Sequence, residues 1–399
     1  MTSFTLFDNE PTIEEITLQR RDKVMNGIHN GSIPHEKIAY IPMEYLDVTS
    51  IPGVASENIL TESRVYKPFR YEFGYRMYEM QNNLHWMQDK ISMDEDIVQF
   101  GRLPDQQREV LEDIFPMFVK NDMVAEDFWA GKYQRIFKPH EIQMGIGAAV
   151  NMEAIHKSAY AYLLDSLAFP VGRYSDFLTH QEATDKLDYT TGFHMTSLYE
   201  TLASIFMFGA MTEGVQLYGN FAVMMSFPHR NLMKGMGQVV TWSVRDESLH
   251  CGFAAQLWKH TLLEFGHLID IKALFTWCQK IAHRVYQNEV GFATLIFRRG
   301  PLPDMTFEQH CQYMRHLIDS RLKSYGIAPI FGEPETPYDF LTSLLSGVEY
   351  ANFFEQRATE YGMANLTGSF QPAYGAALSE IDFIKEKRKS LGFAVPEGV

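Results

Sequence analysis

Apolar residues recur every three or four positions from Phe69 to about Arg321, with breaks near Pro104, Pro139, Pro170, Pro228 and Pro301 to Pro303. That period is the α-helical one, and a proline at each break removes an N–H that would carry the helix onward. No alternating ladder of apolar and polar positions marks a strand, so the pattern predicts an all-α chain. Ahead of this region, one helix candidate (Thr12 to Met25) stands among Pro- and Gly-punctuated connections that end in Ile51-Pro-Gly. Beyond it, residues 327–338 read as a loop and a last helix resumes from Asp339 to about Tyr361. The tail from Ala364 contains many small residues, with Glu380 to Arg388 as a candidate terminal turn or helix. The chain therefore divides into an N-terminal extension (1–65), a helical domain (66–330), a loop with the last helix (331–363) and a flexible C-terminal tail (364–399).

From Thr201 to Phe227 the only charged residue is Glu213. An apolar run of that length raises the question of a transmembrane helix. Against it stand the central carboxylate, Gln216, Asn220, the lack of a second comparable run, and closure by Pro228 and His229. The pattern instead predicts a helix buried on all sides in a large bundle. A lone carboxylate there is costly to ionise unless a cation meets it, so a metal ion is the expected partner.

Two Glu-x-x-His motifs give that metal more ligands. Glu153-Ala-Ile-His156 and Glu247-Ser-Leu-His250 each place a carboxylate and an imidazole on one helix face, because positions i and i+3 nearly superpose at 3.6 residues per turn. Asp122 lies 31 residues before the first motif and Glu213 lies 34 before the second. Average composition yields roughly one such motif by accident. A third, Glu264-Phe-Gly-His267, has a glycine beside its histidine and follows the exposed-looking Trp258 to Thr261 stretch, so it reads as a helix end. Each motif taken alone could equally be a buried Glu–His hydrogen bond; the repeated carboxylate spacing favours ligands. Glu126 is the fallback for Asp122. Four carboxylates and two imidazoles are the ligand set of a dinuclear iron or manganese site inside a four-helix bundle.

Composition narrows the setting. Three cysteines, Cys251, Cys278 and Cys311, without paired spacing, argue for a reduced cytoplasmic chain rather than a disulfide scaffold. The acidic N-terminus lacks a basic-then-apolar run and so predicts no signal peptide. A formal net charge of −15 disfavours nucleic acid and anionic membranes as partners. No Gly-rich phosphate loop is present, which argues against nucleotide hydrolysis or dinucleotide-dependent chemistry. The 29 Phe and 21 Met point to tightly filled helix interfaces.

Tyr160 follows His156 by one helical turn in EAIHKSAY, within reach of a metal held there. This stretch, RDESLH (Arg245 to His250), GMGQVVTWSVRDE, LHWMQDK around Trp86 and FFEQRATEY (Phe353 to Tyr361) together resemble the small, radical-generating subunit of class I ribonucleotide reductase. The resemblance covers about Val65 to Phe370 and its five motifs stand in the family's order. It implies a ferritin-like helical bundle with a dinuclear metal site in its core. Asp122, Glu153, His156, Glu213, Glu247 and His250 match the metal ligands and Tyr160 the radical-bearing tyrosine, with Leu217 and Phe221 lining its apolar pocket. Trp86 and Asp246 resemble the proton-coupled electron relay, and Tyr361 the tyrosine that passes the oxidation to the large catalytic subunit. The resemblance further implies a homodimer whose C-terminal tail docks on that large subunit. LSEIDF (Leu378 to Phe383) looks like such a tail ending, but this chain departs from the pattern by running on from Ile384 to Val399, which leaves the docking residues open.

Plain alternatives exist for each of these residues. Trp86 could be packing, Asp246 a surface salt-bridge residue, and Tyr361 an exposed tyrosine. The competing functions are a stand-alone ferritin-like dimetal oxidase, which needs no tail tyrosine, and an iron-storage or structural bundle, which needs no internal Trp-Asp-Tyr relay. Tyr160 and FFEQRATEY favour the radical subunit. Two iron ions per chain with a tyrosyl radical are the first choice of cofactor, with dimanganese or a mixed pair behind.

Overall fold

In the computed structural model, residues 38–43, 47–51 and 53–341 are described. Their regular elements are all helical, and the only β-bridges among them, Pro42 with Ser197 and Leu302 with Met305, are isolated. The α-helices of seven or more residues are α1 (Glu72–Asn83), α2 (Asp94–Phe100), α3 (Asp105–Glu126), α4 (His140–Ser166), α5 (Gln181–Thr191), α6 (Leu198–Ile205), α7 (Leu217–His229), α8 (Lys234–Phe265), α9 (Ile271–Ile296) and α10 (Phe307–Ser324). Pro104 and Pro139 stand immediately before α3 and α4, where a missing N–H costs nothing. Other starts are fixed by side chains. Ser197 accepts from the Glu200 N–H, Asp270 accepts from the Ala273 N–H, and Thr306 with Gln309 forms a capping box, each contributing about 1 kcal/mol.

Two π-helical segments were not foreseen. Asp127–Tyr133 extends α3, and Phe206–Gln216 joins α6 to α7. Both sit in runs whose apolar period looks like ordinary helix. The Thr201 to Phe227 run is buried at every position, as a helix enclosed on all sides requires. Around it, α8 packs along the second π segment and α7, α3 packs along α4, and α1 packs along α4 and touches α8. The crossing of α1 with α4 is close because it is made by glycines: a Cβ on Gly145 would sit 2.7 Å from the Gly74 carbonyl oxygen. α4 and α8 also touch, so the two Glu-x-x-His helices are neighbours.

The third motif ends α8, as expected. Helix α8 stops at Phe265, and Glu264 accepts hydrogen bonds from the Tyr71 hydroxyl (2.6 Å) and the Ile59 N–H (2.8 Å). The Trp258 to Thr261 stretch is not exposed as it looked in sequence: Trp258 and Thr261 are buried and only Lys259 and His260 between them are partly open, because α8 keeps one face inward to its end. Helix resumes at Asp339 and is described to Leu341. The Thr12 to Met25 candidate, Tyr361, Leu378 to Phe383 and the tail lie outside the described residues.

One buried histidine gives the fold a pH dependence. His310 of α10 lies against the Phe297 ring, 5.6 Å between centroids, and burial with the nearby Lys186 charge pushes its pKa down to about 4. A free histidine titrates near 6.5, so between those values the unfolded chain binds a proton that the folded chain refuses. Stability from this group is complete above about pH 6.5 and falls as pH drops towards 4, by up to about 3 kcal/mol. In urea titrations, His310→Leu is expected to show a shallower loss between pH 6.5 and 4.5 than the unmodified chain. Equal slopes would exclude His310 as the source.

Candidate metal centre

The carboxylates and imidazoles singled out by spacing converge in the bundle interior. Asp122 comes from α3, Glu153 and His156 from α4, Glu213 from the second π segment, and Glu247 and His250 from α8. None is more than 1% exposed. They form two groups of possible metal ligands, Asp122 with Glu153, His156 and Glu247, and Glu153 with Glu213, Glu247 and His250. Within each group the donor atoms lie within 4.8 Å of one another, and the groups share Glu153 and Glu247. The outcome is two adjacent four-donor groups with two carboxylates in common.

The donors face one another at close range, mostly without hydrogen-bond direction. His156 Nδ1 lies 3.1 Å from Glu247 and 3.6 Å from Glu153, and His250 Nδ1 lies 3.0 Å from Glu153, 3.1 Å from Glu247 and 3.9 Å from Glu213. Only the His250 to Glu247 approach has hydrogen-bond direction. As ionised carboxylates, Asp122 at Oδ2 and Glu153 and Glu213 at both oxygens meet no donor, and His156 Nδ1 has no partner, among the described residues. Buried charges and acceptors are normally paired, because each unpaired one costs about 1–3 kcal/mol or more. Six hard oxygen and imidazole donor residues aimed at two shared points therefore fit a pair of divalent iron or manganese ions.

Without cations the cluster must hold protons instead. Burial first, then the neighbouring Glu247 charge, pushes the Glu213 carboxyl well above its usual range, and burial does the same at Asp122. Burial also opposes ionisation of Glu247, but hydrogen bonding by Glu213 and the His250 charge outweigh it and hold Glu247 well below the usual range. Burial disfavours imidazolium at His250, yet Glu247 and Glu153 raise its pKa to about 10. Two metal ions would displace these protons.

Around the donors the structure places the remaining sequence candidates that it describes. Asp246 is fully buried, not a surface residue: it lies on the inward face of α8, so although Arg245 Nε approaches to 3.8 Å its oxygens serve the interior. Asp246 Oδ2 accepts from Trp86 Nε1 at 2.7 Å and lies 3.1 Å from His156 Nε2, while Oδ1 accepts from Gln81 Nε2 at 2.9 Å. Trp86 is thus tied to a candidate ligand through one carboxylate. The Tyr160 hydroxyl donates to Ser243 Oγ at 3.2 Å, and its ring stacks on Phe118, which stacks in turn on Phe221. Burial, with the Asp122 charge second, pushes the Tyr160 phenol well above its usual pKa. Leu217 is buried one turn before Phe221. Glu126, the fallback for Asp122, instead pairs with Lys157 away from the cluster. Gln81, Ser243 and Phe118 were missed as site residues: Ser243 lies within GMGQVVTWSVRDE without standing out there, and only the burial of α1, α3 and α8 against α4 brings the three in.

The family model for the ribonucleotide reductase small chain matches residues 63–337. A probable ribonucleoside-diphosphate reductase small subunit of Invertebrate iridescent virus 6 is 30% identical over 351 residues, spanning 78% of this chain and 98% of that protein. The human ribonucleoside-diphosphate reductase subunit M2 is 25% identical over 356 residues, 86% of each. Among solved structures, the R2 subunit of ribonucleotide reductase from Clostridium botulinum superposes with a TM-score of 0.67 over 72% of this chain and 94% of that one, at 20% identity. A dimanganese(II) protein from Streptococcus sanguinis does so at 0.60, over 72% and 99%, at 14% identity. At those identities the likeness to both structures is one of fold.

Proposed function

The chain belongs to the ribonucleotide reductase small-chain family, and from that premise we propose that it is the radical-generating subunit of a ribonucleoside-diphosphate reductase. One observation carries the reading: two buried four-donor groups share Glu153 and Glu247, and Tyr160 follows one turn after His156 on the same helix. Asp122, Glu153, His156 and Glu247 would hold one ion, and Glu153, Glu213, Glu247 and His250 the other. When bound, two iron ions, or two manganese ions or a mixed pair, supply the one-electron oxidation of a nearby side chain that dioxygen drives.

Tyr160 is the side chain oxidised. Its phenolate is disfavoured by burial and by Asp122, so the hydroxyl proton moves along its hydrogen bond towards Ser243 Oγ as the electron leaves. Phe118 and Phe221 keep water from the ring, which protects the radical once formed. Asp246 Oδ2 meets the ring nitrogens of Trp86 and His156 at once, and that fixes the orientation of both. The Trp86–Asp246–His156 chain carries the hole outward, with the Asp246 carboxylate taking the indole proton as the electron leaves the ring. Tyr361 hands the oxidation to the large catalytic subunit, on which the C-terminal tail docks, and the nucleotide chemistry takes place there. The working form is a homodimer in a reducing, cytoplasmic setting; Cys251, Cys278 and Cys311, all buried and free, support the second point. Among the described residues no helix is long and apolar enough to cross a membrane.

Mixing the full chain with a catalytic subunit tests export. Tyr361→Phe is expected to keep both metals and the full tyrosyl signal but to lose at least about 100-fold of reductase activity, since Phe has no phenolic proton to give up with its electron. Light scattering on the chain alone, before mixing, should give twice the mass of one chain. Normal activity of Tyr361→Phe, or a single-chain mass, would remove the corresponding part of the proposal.

A further inference from the structure

The π-helical segment that carries Glu213 is eleven residues long, Phe206–Gln216. π-helix usually survives only as a single turn inside α-helix. A longer stretch needs support from outside its own hydrogen-bond ladder. Two cationic side chains from other helices supply it, both at the segment's C-terminal end. Arg321, on α10, donates from Nε to the Gly214 carbonyl oxygen at 3.1 Å, while its guanidinium lies over the Tyr218 ring, 5.1 Å from the centroid. Lys186, on α5 and only 2% exposed, approaches the Gln216 carbonyl at 3.4 Å and pairs with Glu289 at 3.0 Å. The Gln216 side chain is held too, accepting from Thr190 Oγ1 at 3.1 Å.

Glycine makes the Arg321 contact possible. A Cβ on Gly214 would collide with Nε of Arg321, and a Cβ on Gly209 would meet both Ala254 and the hydroxyl of Tyr325, which follows α10. The end of α10 therefore rests on two bare backbone positions that bracket Glu213, one four residues before it and one directly after. Resetting this stretch to α register would shift its side chains by roughly one residue, about 100° around the axis. Glu213 would then leave its place beside Glu247 and His250.

We infer that Arg321 is a positioning residue that holds the π register of Phe206–Gln216 and so aims Glu213 into the second of the two metal groups. The inference rests on the dimetal reading above. Because Glu213 belongs to one group only, loss of Arg321 must weaken one ion and spare the other. A general packing role would weaken both.

Mn(II) binding to the full chain separates these cases, read by equilibrium dialysis with electron paramagnetic resonance of the bound fraction. The unmodified chain should bind two Mn(II). Arg321→Met should retain one with unchanged affinity and lose about 10- to 100-fold in the other, the range typical when a ligand's support is removed, and it should show the six-line spectrum of isolated bound Mn(II). Arg321→Lys, which can still donate to the Gly214 carbonyl, should recover most of the lost affinity. If Arg321→Met does not fold, Gly214→Ala is read instead, since it pushes the guanidinium off the carbonyl while keeping its charge. Unchanged binding of both ions, or equal weakening of both, would overturn the inference. Fewer than two ions on the unmodified chain would remove the dimetal reading and this inference with it.

Discussion

Glu247→Ala is expected to bind neither metal ion tightly, whereas Glu213→Ala and Asp122→Ala should each retain one. The difference follows from sharing: Glu247 donates to both groups, Glu213 and Asp122 to one apiece. Losing even a partner that only orients a ligand costs about 10–100-fold in metal affinity, so loss of a bridging carboxylate should exceed about 100-fold at each site. The fold should survive in Glu213→Ala, because the metal-free chain gains little from a carboxyl that burial and Glu247 keep protonated. Elemental analysis after dialysis, with circular dichroism as the check on folding, reads the series. Two ions retained by Glu247→Ala would show that the ligands are assigned wrongly, and one ion retained would show that Glu247 does not bridge.

The candidate cluster was legible in the sequence because helical geometry is periodic. A carboxylate three residues before a histidine must share its face, and a lone Glu213 in a charge-free run must meet a cation or stay neutral. The helices were legible for the same reason, with Pro104 and Pro139 standing where helices start. What could not be read were features set by contacts between distant segments. Gln81 and Ser243 belong to unremarkable polar positions until α1 and α8 close on α4. The π segments have no signature in the apolar period, since Gly209 and Gly214 explain themselves only once Tyr325 and Arg321 lie on them. The plain alternative for Asp246, a surface salt-bridge residue between Arg245 and Glu247, fails because its helical phase turns it inward.

Tyr160→Phe is expected to bind two metals and still consume dioxygen, yet to show no tyrosyl signal and no reductase activity with a catalytic subunit. Phenylalanine fills the same space against Phe118 and lacks the hydroxyl that donates to Ser243, so packing is kept and one neutral hydrogen bond, about 1 kcal/mol, is lost. The oxidisable O–H is the whole difference. A fall in activity of at least about a thousand-fold with unchanged metal content would place the stored oxidation on Tyr160. Retained activity would shift it to the metals or to another side chain.

The central claim, two metals serving one tyrosine, is tested most directly on a single sample: the full chain loaded anaerobically with ferrous iron, exposed to dioxygen, then divided between iron analysis and electron paramagnetic resonance. The account predicts two iron ions per chain together with a tyrosyl radical signal that is absent from Tyr160→Phe. Two irons with no radical, or a radical that survives in Tyr160→Phe, would contradict it.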